Sequence, residues 1–174
     1  MIKVMFVCLG NICRSPMAEF VLKDMVKKQG LEKEFYIKSS ATSSEEIGND
    51  IHYGTRDKLI QNGIPFTKRK AVKLRAEDYK KYDYIIGMEK SNVINIKRIV
   101  GEDVDDKIYR LLDFSDTPRD IADPWYTGNF EITWKTARGW VWRASKGGFD
   151  PDGAWSGYPQ PLCWTDFRRS VSES

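Results

Sequence analysis

A cysteine and an arginine enclose a short loop near the start of the chain. The loop comprises Cys8, Leu9, Gly10, Asn11, Ile12, Cys13, Arg14 and Ser15. If it curls around a tetrahedral anion, successive backbone N–H groups point inward and the guanidinium of Arg14 binds two anion oxygens. Gly10 and Asn11 tolerate the left-handed backbone that such a curl requires. The residue types and their spacing therefore indicate a phosphate-binding loop.

The thiol of Cys8 is the candidate nucleophile of this loop. Donors that stabilise a bound phosphate also stabilise a thiolate, so we expect Cys8 to be activated for attack on phosphorus. Ser15 can donate a hydrogen bond to the sulfur, which helps when the sulfur leaves in a second step. The alternative, a thiol that is only packed at the end of a strand, leaves Arg14 in the same loop unexplained.

The supply of other reactive side chains is small. The chain has one histidine, His52, and three cysteines. A zinc site on Cys8 and Cys13 would have only His52 and Cys163 as further ligands and lacks the usual two-residue spacing, so we predict no metal and no cofactor. With histidine scarce, the proton donor for a leaving group must be a carboxylate.

Asp123 is the candidate proton donor. It stands before Pro124 in a loop that follows the fourth predicted strand, from where a carboxylate can reach across the strand ends. Trp125 and Tyr126 come next, and their rings could line a cleft for a flat substrate. An Asp-Pro turn that is only structural is the alternative interpretation.

These residues require a scaffold, and the sequence predicts an α/β fold in which strands alternate with helices. Apolar and β-branched runs predict strands at residues 2–7, 35–40, 82–88 and 107–112. Helices are predicted at 16–30, 55–61, 76–81 and 91–100, with Ser15 and Ser91 as N-caps. This alternation favours a parallel sheet with helices on both faces and the phosphate-binding loop after strand 1.

The overall composition restricts the compartment and the partners. A length of 174 residues fits one compact domain, and 28 Lys+Arg against 25 Asp+Glu give a net charge of only +3. We therefore expect neither nucleic acid nor membrane as a partner, and we interpret the basic segment 68–75 as a solvated face. No run is long and apolar enough to span a membrane, so we expect a cytoplasmic protein. The oligomeric state stays open.

Several segments of the chain resemble the low-molecular-weight protein tyrosine phosphatases. The likeness covers about residues 1–134 and is strongest in V-C-L-G-N-I-C-R-S-P at 7–16 and in Asp123-Pro124. Further similar segments lie at 39–43, 82–88 and 89–92. The resemblance implies a four-stranded parallel sheet and metal-free hydrolysis of phosphotyrosine, or of a small aryl phosphate, through a phosphocysteine.

The resemblance also implies roles for individual residues. Cys8 would be the nucleophile, Arg14 would bind phosphate in the ground and transition states, and Asp123 would act first as acid and then as base. Asn11 and Ser15 would hold the loop and tune the thiolate. The remaining expected substrate contacts are Leu9, Gly10, Ile12, Cys13, Trp125 and Tyr126. Cys13 also resembles the family's second loop cysteine, which can form a reversible disulfide with Cys8.

Some positions depart from the family pattern. Where a family member often has an aromatic ring at the cleft, this chain has Ser44, Glu45 and Glu46. Ile12 favours an aryl phosphate, because relatives that dephosphorylate arginine tend to carry threonine there. A protein-arginine phosphatase, or a phosphate-binding or interaction module without turnover, are the alternative functions. His52 matches no catalytic position, and we expect it at the surface.

The resemblance stops near residue 134, and residues 135–174 form an atypical segment rich in Trp, Gly and Pro. Its composition predicts that no helix forms from Lys135 onward, although the family ends with one. Read from the second base of each codon, 139–149 can encode a sequence that resembles the family's last helix. We therefore predict a frameshift between about Trp134 and Arg138, with a genuine extension as the alternative.

Overall fold

A computed structural model describes residues 1–115 and 117–145, with the backbone alone for Phe114 and 140–145. It contains a four-stranded sheet in the order β2-β1-β3-β4, and each neighbouring pair is parallel. The strands are β1 (Ile2–Cys8), β2 (Phe35–Ala41), β3 (Tyr84–Gly87) and β4 (Ile108–Arg110). The helices are α1 (Arg14–Lys28), α2 (Tyr53–Gln61), α3 (Asp78–Lys81), α4 (Lys90–Val100), α5 (Pro124–Thr127) and α6 (Phe130–Ser145). The predicted fold class is confirmed.

β1 is central to the fold because both of its faces are buried. Val4 and Phe6 face one hydrophobic cluster, which includes side chains of α1, α2 and α6. Met5 and Val7 face the other cluster, which includes side chains of α3 and α4. Alternate side chains of a strand point to opposite faces, so an unbroken apolar run is what a strand covered on both sides requires.

The two predicted N-caps, Ser15 and Ser91, are wrong, because both residues lie inside their helices. α1 begins at Arg14 rather than after Ser15, because the Ser15 hydroxyl contacts Cys8 instead of capping the helix. α4 begins at Lys90, so Ser91 lies inside it. Its first N–H group, that of Lys90, donates to Asp120 Oδ1 at 2.9 Å, so a carboxylate distant in sequence replaces a local cap.

The C-terminal helix extends further than its composition predicted. α6 continues through Ser145, so the prediction that no helix forms from Lys135 onward is wrong for residues 135–145. Trp134 and Ala137 are buried in the larger hydrophobic cluster, and α6 lies against α1. This tertiary packing outweighs the cost of about 1 kcal/mol for Gly139 in a helix. Residues 146–174, with most of the predicted atypical segment, lie outside the described residues.

Within 1–115 and 117–145, no helix combines the necessary length with sufficient apolarity to cross a bilayer.

Candidate active site

The loop between β1 and α1 lies at the carboxyl edge of the sheet. β1 ends at Cys8 and α1 begins at Arg14, so five residues connect them. Cys8 pairs with Ala41 at the end of β2, and the two strand ends therefore open to the same side. This edge is where open α/β sheets bind their ligands.

The carbonyl oxygens of the loop are bound by donors from the surrounding structure. The pairs are Thr42 N to Cys8 O (2.9 Å), Ser43 N to Leu9 O (3.0 Å), Arg69 Nη1 to Asn11 O (2.9 Å), His52 N to Ile12 O (2.8 Å) and Thr55 Oγ1 to Cys13 O (3.3 Å). These bonds hold the negative ends of the peptide groups away from the cavity, which favours a bound anion.

The sulfur of Cys8 receives two contacts from its own loop. Its Sγ lies 3.0 Å from Ser15 Oγ and accepts a hydrogen bond from Asn11 N at 3.2 Å. Ser15 Oγ itself accepts a hydrogen bond from Asn11 Nδ2 at 2.8 Å. Because a donor already faces the oxygen of Ser15, its hydroxyl hydrogen is free to point at the sulfur. Both contacts stabilise a thiolate.

Asn11 is the buried centre of the loop's hydrogen-bond network. Its φ of +59° places it in the left-handed region, as the curl was expected to require. Its Nδ2 also donates to Ser39 Oγ at 2.9 Å, and Ser39 in turn donates to Glu19. Its Oδ1 accepts from Arg69 Nη2 and from Val72 N. With donors on one side of the amide and acceptors on the other, its orientation is fixed.

Arg14 is 1% exposed and points its guanidinium at the carboxyl edge. Nη1 donates to Ile121 O at 3.0 Å, and Nη2 donates to Glu89 at 3.0 Å and to Asp123 at 2.6 Å. Burial alone would lower the pKa of Arg14, but the negative charges of Cys8, Asp123 and Glu89 outweigh it and raise the pKa. Its buried Nε has no hydrogen-bond partner among the described residues.

Asp123 links the loop to α5. Its Oδ1 accepts a hydrogen bond from Trp125 N at 3.1 Å and so caps that helix, while its Oδ2 pairs with Arg14. Pro124 is the first helical residue, where its missing N–H costs nothing. The cap fixes the carboxylate at the edge of the loop.

One pocket unites almost all of the predicted site residues. Its lining consists of Cys8, Leu9, Gly10, Asn11, Ile12, Cys13, Arg14, Glu45, Glu46, Asp123, Trp125 and Tyr126. Of the predicted residues only Ser15 is outside the lining, and it contacts the sulfur from behind. We define the floor as the lining residues Cys8, Asn11 and Arg14 together with Ser15 behind the sulfur, and the mouth as Glu45, Glu46, Trp125 and Tyr126.

Comparison with known proteins decides the family. Residues 3–138 match the model of the low molecular weight phosphotyrosine protein phosphatases. The chain belongs to this family. The low molecular weight protein-tyrosine-phosphatase YfkJ of Bacillus subtilis is 42% identical over 133 residues, which are 75% of this chain and 85% of that protein.

Solved structures of such phosphatases have the same fold. The crystal structure of YfkJ superposes with a TM-score of 0.80 at 39% identity and covers 84% of this chain and 93% of its own. The enzyme SP-PTP of Streptococcus pyogenes gives a TM-score of 0.76 at 38% identity, covering 87% of this chain and 96% of its own.

The second thiol of the phosphatase loop differs from the first in its surroundings. Cys13 is buried, and burial, together with the negative charges of Cys8 and Asp123, raises its pKa to about 12. It is therefore a neutral thiol at physiological pH. No disulfide joins Cys8 and Cys13 in the structure, and the disulfide implied by the family resemblance stays a prediction.

His52 is partly buried and packs among aromatic rings, which the expectation of a surface residue did not include. Its Nδ1 accepts a hydrogen bond from Gly54 N at 3.1 Å and caps α2. Its ring stacks on Phe130, with centroids 5.0 Å apart, and meets the edge of Trp125 at 5.6 Å. The backbone N–H of His52 donates to Ile12 O of the loop, and its ring contacts that of Trp125 at the mouth of the pocket. His52 thus connects the loop to the mouth.

Arg69 is a site residue that sequence reasoning missed. The interpretation of the basic segment as a solvated face is wrong for Arg69, whose guanidinium binds both oxygens of Asn11. The segment is held beside the end of β2, because Ala41 N donates to Val72 O and Leu74 N donates to Ala41 O. Burial lowers the pKa of Arg69, opposed by the charges of Glu19, Cys8 and Asp50. The sequence held no signal that sets Arg69 apart, because Arg75 in the same basic segment is exposed.

Three further polar residues support the floor without having been assigned a role. Glu19 and Ser39 are buried in the network around Asn11, and Glu89 pairs with Arg14. Ser39 and Glu89 lie in segments that carry the family resemblance. Their position beside the loop depends on strand order and helix orientation, which the sequence alone did not specify at the level of side chains.

Proposed function

We propose that this protein hydrolyses phosphotyrosine in proteins through a phosphocysteine intermediate. The observation that carries the proposal is the position of the Cys8 sulfur. It receives hydrogen bonds from its own loop in the same pocket that holds the guanidinium of Arg14 and the carboxylate of Asp123. Nucleophile, anion receptor and proton donor are the three groups that this chemistry needs.

Substrate binding exchanges one anion for another at Arg14. The carboxylate of Asp123 accepts a hydrogen bond from Nη2, while the buried Nε has no partner among the described residues. A phosphate that enters the loop binds the guanidinium with two oxygens, through Nε and one Nη. The incoming oxygens displace Asp123 from Nη2, so its carboxyl group becomes available for proton transfer.

In the first chemical step the Cys8 thiolate attacks phosphorus and the bond from phosphorus to the phenolic oxygen breaks. Asp123, in its protonated form, gives its proton to that oxygen, and tyrosine leaves. The loop stabilises the negative charge on the equatorial oxygens of the transition state, together with Arg14. The product is a phosphocysteine and an Asp123 carboxylate.

In the second step a water molecule attacks the phosphocysteine. Asp123 accepts a proton from this water, the bond from phosphorus to sulfur breaks, and inorganic phosphate forms. The electron pair of the broken bond returns to Cys8 as thiolate, which the Ser15 hydroxyl stabilises at a distance of 3.0 Å. Ser15 therefore makes the sulfur a better leaving group.

The substrate class follows from the relatives and from the mouth of the pocket. YfkJ and SP-PTP are named protein tyrosine phosphatases. In this chain the rings of Trp125 and Tyr126 are 54% and 75% exposed and line the pocket, where they can contact the ring of a phosphotyrosine. We also propose a cytoplasmic location, because the thiols of the loop must stay reduced to react.

The test is hydrolysis of p-nitrophenyl phosphate and of a phosphotyrosine peptide with a metal chelator present. We expect Cys8→Ser to lower kcat by at least about 1,000-fold and to abolish the phosphoenzyme trapped by acid quenching. Cys163→Ser serves as the matched control and should retain activity. Activity that needs added metal, or that survives in Cys8→Ser, contradicts the proposal. A phosphoarginine peptide as the better substrate would favour the alternative of an arginine phosphatase.

A further inference from the structure

The mouth of the pocket is acidic as well as aromatic. Glu45 and Glu46 line the pocket together with Trp125 and Tyr126. Within the described residues neither glutamate forms an ion pair, and the only polar contact found for either carboxylate is from Asn49 Nδ2 to Glu46, at 2.7 Å. Two carboxylates without an ion-pair partner among the described residues thus stand at the entrance of a site for an anion.

These carboxylates are held at the entrance by the packing of their segment. A Cβ on Gly10 would lie 3.1 Å from Glu46 Cγ, so the stem of Glu46 already lies against the loop. Ser43 N donates to Leu9 O, and Gly48 N donates to Ala71 O, so backbone bonds fix the segment on both sides of the glutamates. Their charges therefore act on whatever enters the pocket.

The floor cannot neutralise these charges. Arg14 is already shared by Asp123 and Glu89. Lys73 reaches the segment, but its Nζ donates to Ser44 Oγ at 2.9 Å and forms no ion pair there. A phosphate that approaches the loop therefore passes two carboxylates, and positive charge elsewhere on the substrate offsets their repulsion.

We propose that Glu45 and Glu46 select phosphotyrosine sites that have lysine or arginine close to the phosphotyrosine, and that they disfavour sites with acidic neighbours. The inference rests on the proposed function, since it assigns a substrate class to the same pocket. A cation at contact distance from one exposed carboxylate gains about fivefold in binding in water. Two carboxylates therefore give about 10- to 30-fold discrimination between basic and acidic neighbours.

The experiment compares two phosphotyrosine peptides of equal length, one with lysines and one with glutamates beside the phosphotyrosine. At low ionic strength we expect kcat/KM of the wild-type protein to be about 10- to 30-fold higher for the basic peptide. The ratio should fall towards 1 in high salt, in Glu45→Gln combined with Glu46→Gln and in Glu45→Lys, and should invert in Glu45→Lys combined with Glu46→Lys. Glu102→Lys changes an exposed glutamate outside the pocket and should keep the wild-type ratio.

The ratio is taken within each variant, so a general loss of activity does not affect it. Equal kcat/KM for the two peptides in the wild type, or a preference that persists unchanged in Glu45→Lys, overturns the inference. Failure of the wild type to hydrolyse p-nitrophenyl phosphate, which has no neighbouring residues, contradicts the proposed function instead. The two failures are therefore distinguishable.

Discussion

The floor and the mouth of the pocket are built in different ways. On the floor, Asn11 and Arg14 are buried, and most of their polar groups are bound by named partners. At the mouth, Trp125 and Tyr126 are more than half exposed, and Glu45 is exposed without an ion pair in the described chain. The floor is rigid because each of its groups would lose hydrogen bonds by moving.

This difference assigns the chemical steps to the floor and the choice of substrate to the mouth. A buried network holds reacting groups at fixed distances, which is what the attack on phosphorus requires. Exposed side chains at the mouth can change without the loss of such a network. We therefore expect substitutions on the floor to act on kcat or stability, and substitutions at the mouth to act on KM and on the choice of substrate.

The largest effect expected within this comparison is that of Asp123→Asn. Asparagine is also a good N-cap for α5, so the helix should persist while the acid is lost. We expect kcat to fall about 100-fold or more with little change in KM, most strongly for substrates with poor leaving groups. Steady-state kinetics of aryl phosphates with different leaving groups measure this. Asp120→Asn is the matched control, and an equal loss in both variants would remove Asp123 from its role.

A second effect concerns Cys13, which lies in the loop, and the dependence of the protein's stability on pH. The folded pKa of Cys13 lies at about 12, above the ordinary value of 9.0, so the folded state keeps this proton where the unfolded state loses it. Its stabilisation is complete below pH 9 and is lost as the pH rises towards 12. We expect the free energy of unfolding to fall by about 2 kcal/mol more in the wild type than in Cys13→Ala between pH 8 and 10.5. Urea denaturation at several pH values tests this, and parallel curves would contradict it.

Arg69→Met is expected to have a smaller effect, of about tenfold on kcat. The variant removes two hydrogen bonds to Asn11, whose left-handed backbone then lacks part of its support. Arg69 is a positioning residue, so kcat should fall more than KM rises, and Arg69→Lys should restore only part of the loss. Lys70→Met, at an exposed position in the same segment, is the control. A change in KM alone would place Arg69 at the mouth rather than behind the floor.

The smallest effect is expected for Trp125→Ala at the mouth. Because its ring is half exposed, its removal should raise KM for an aryl phosphate about threefold to fivefold and leave kcat nearly unchanged. Initial rates over a range of substrate concentrations separate the two parameters. A large fall in kcat would mean that the ring also positions Asp123, whose side chain accepts from the N–H of the same residue.

The chemistry of the loop and the order of the elements could be predicted from the sequence, because both depend on local patterns. Cys8, Arg14 and the apolar run of β1 lie within a few residues of one another. The partners of the floor could not be predicted in the same way. Arg69 reaches Asn11 across 58 positions, and the segment that carries it is placed by backbone bonds to the end of β2.

The error at the C-terminal helix has a physical reason as well. Composition assigned residues 135–145 to a non-helical segment because of Gly139 and the glycines and prolines that come after it. Two buried residues, Trp134 and Ala137, anchor the helix to the core, and tertiary packing of this kind outweighs weak propensity. The boundary at 134–135 and the frameshift stay predictions, which the nucleotide sequence of 139–149 can test.

Gly54 has a consequence for the tolerance of this protein to change at its C-terminus. A Cβ at Gly54 would lie 2.6 Å from the ring of Phe130, the first residue of α6. A glycine at position 54 therefore lets this ring pack against α2. Phe130 also contacts the cluster of Ile12, Cys13 and Ala71 behind the loop. The first residues of α6 thus pack against the domain within the part of the chain that matches the family model, residues 3–138. We therefore expect changes beyond position 138 to leave the packing of Phe130 behind the loop in place.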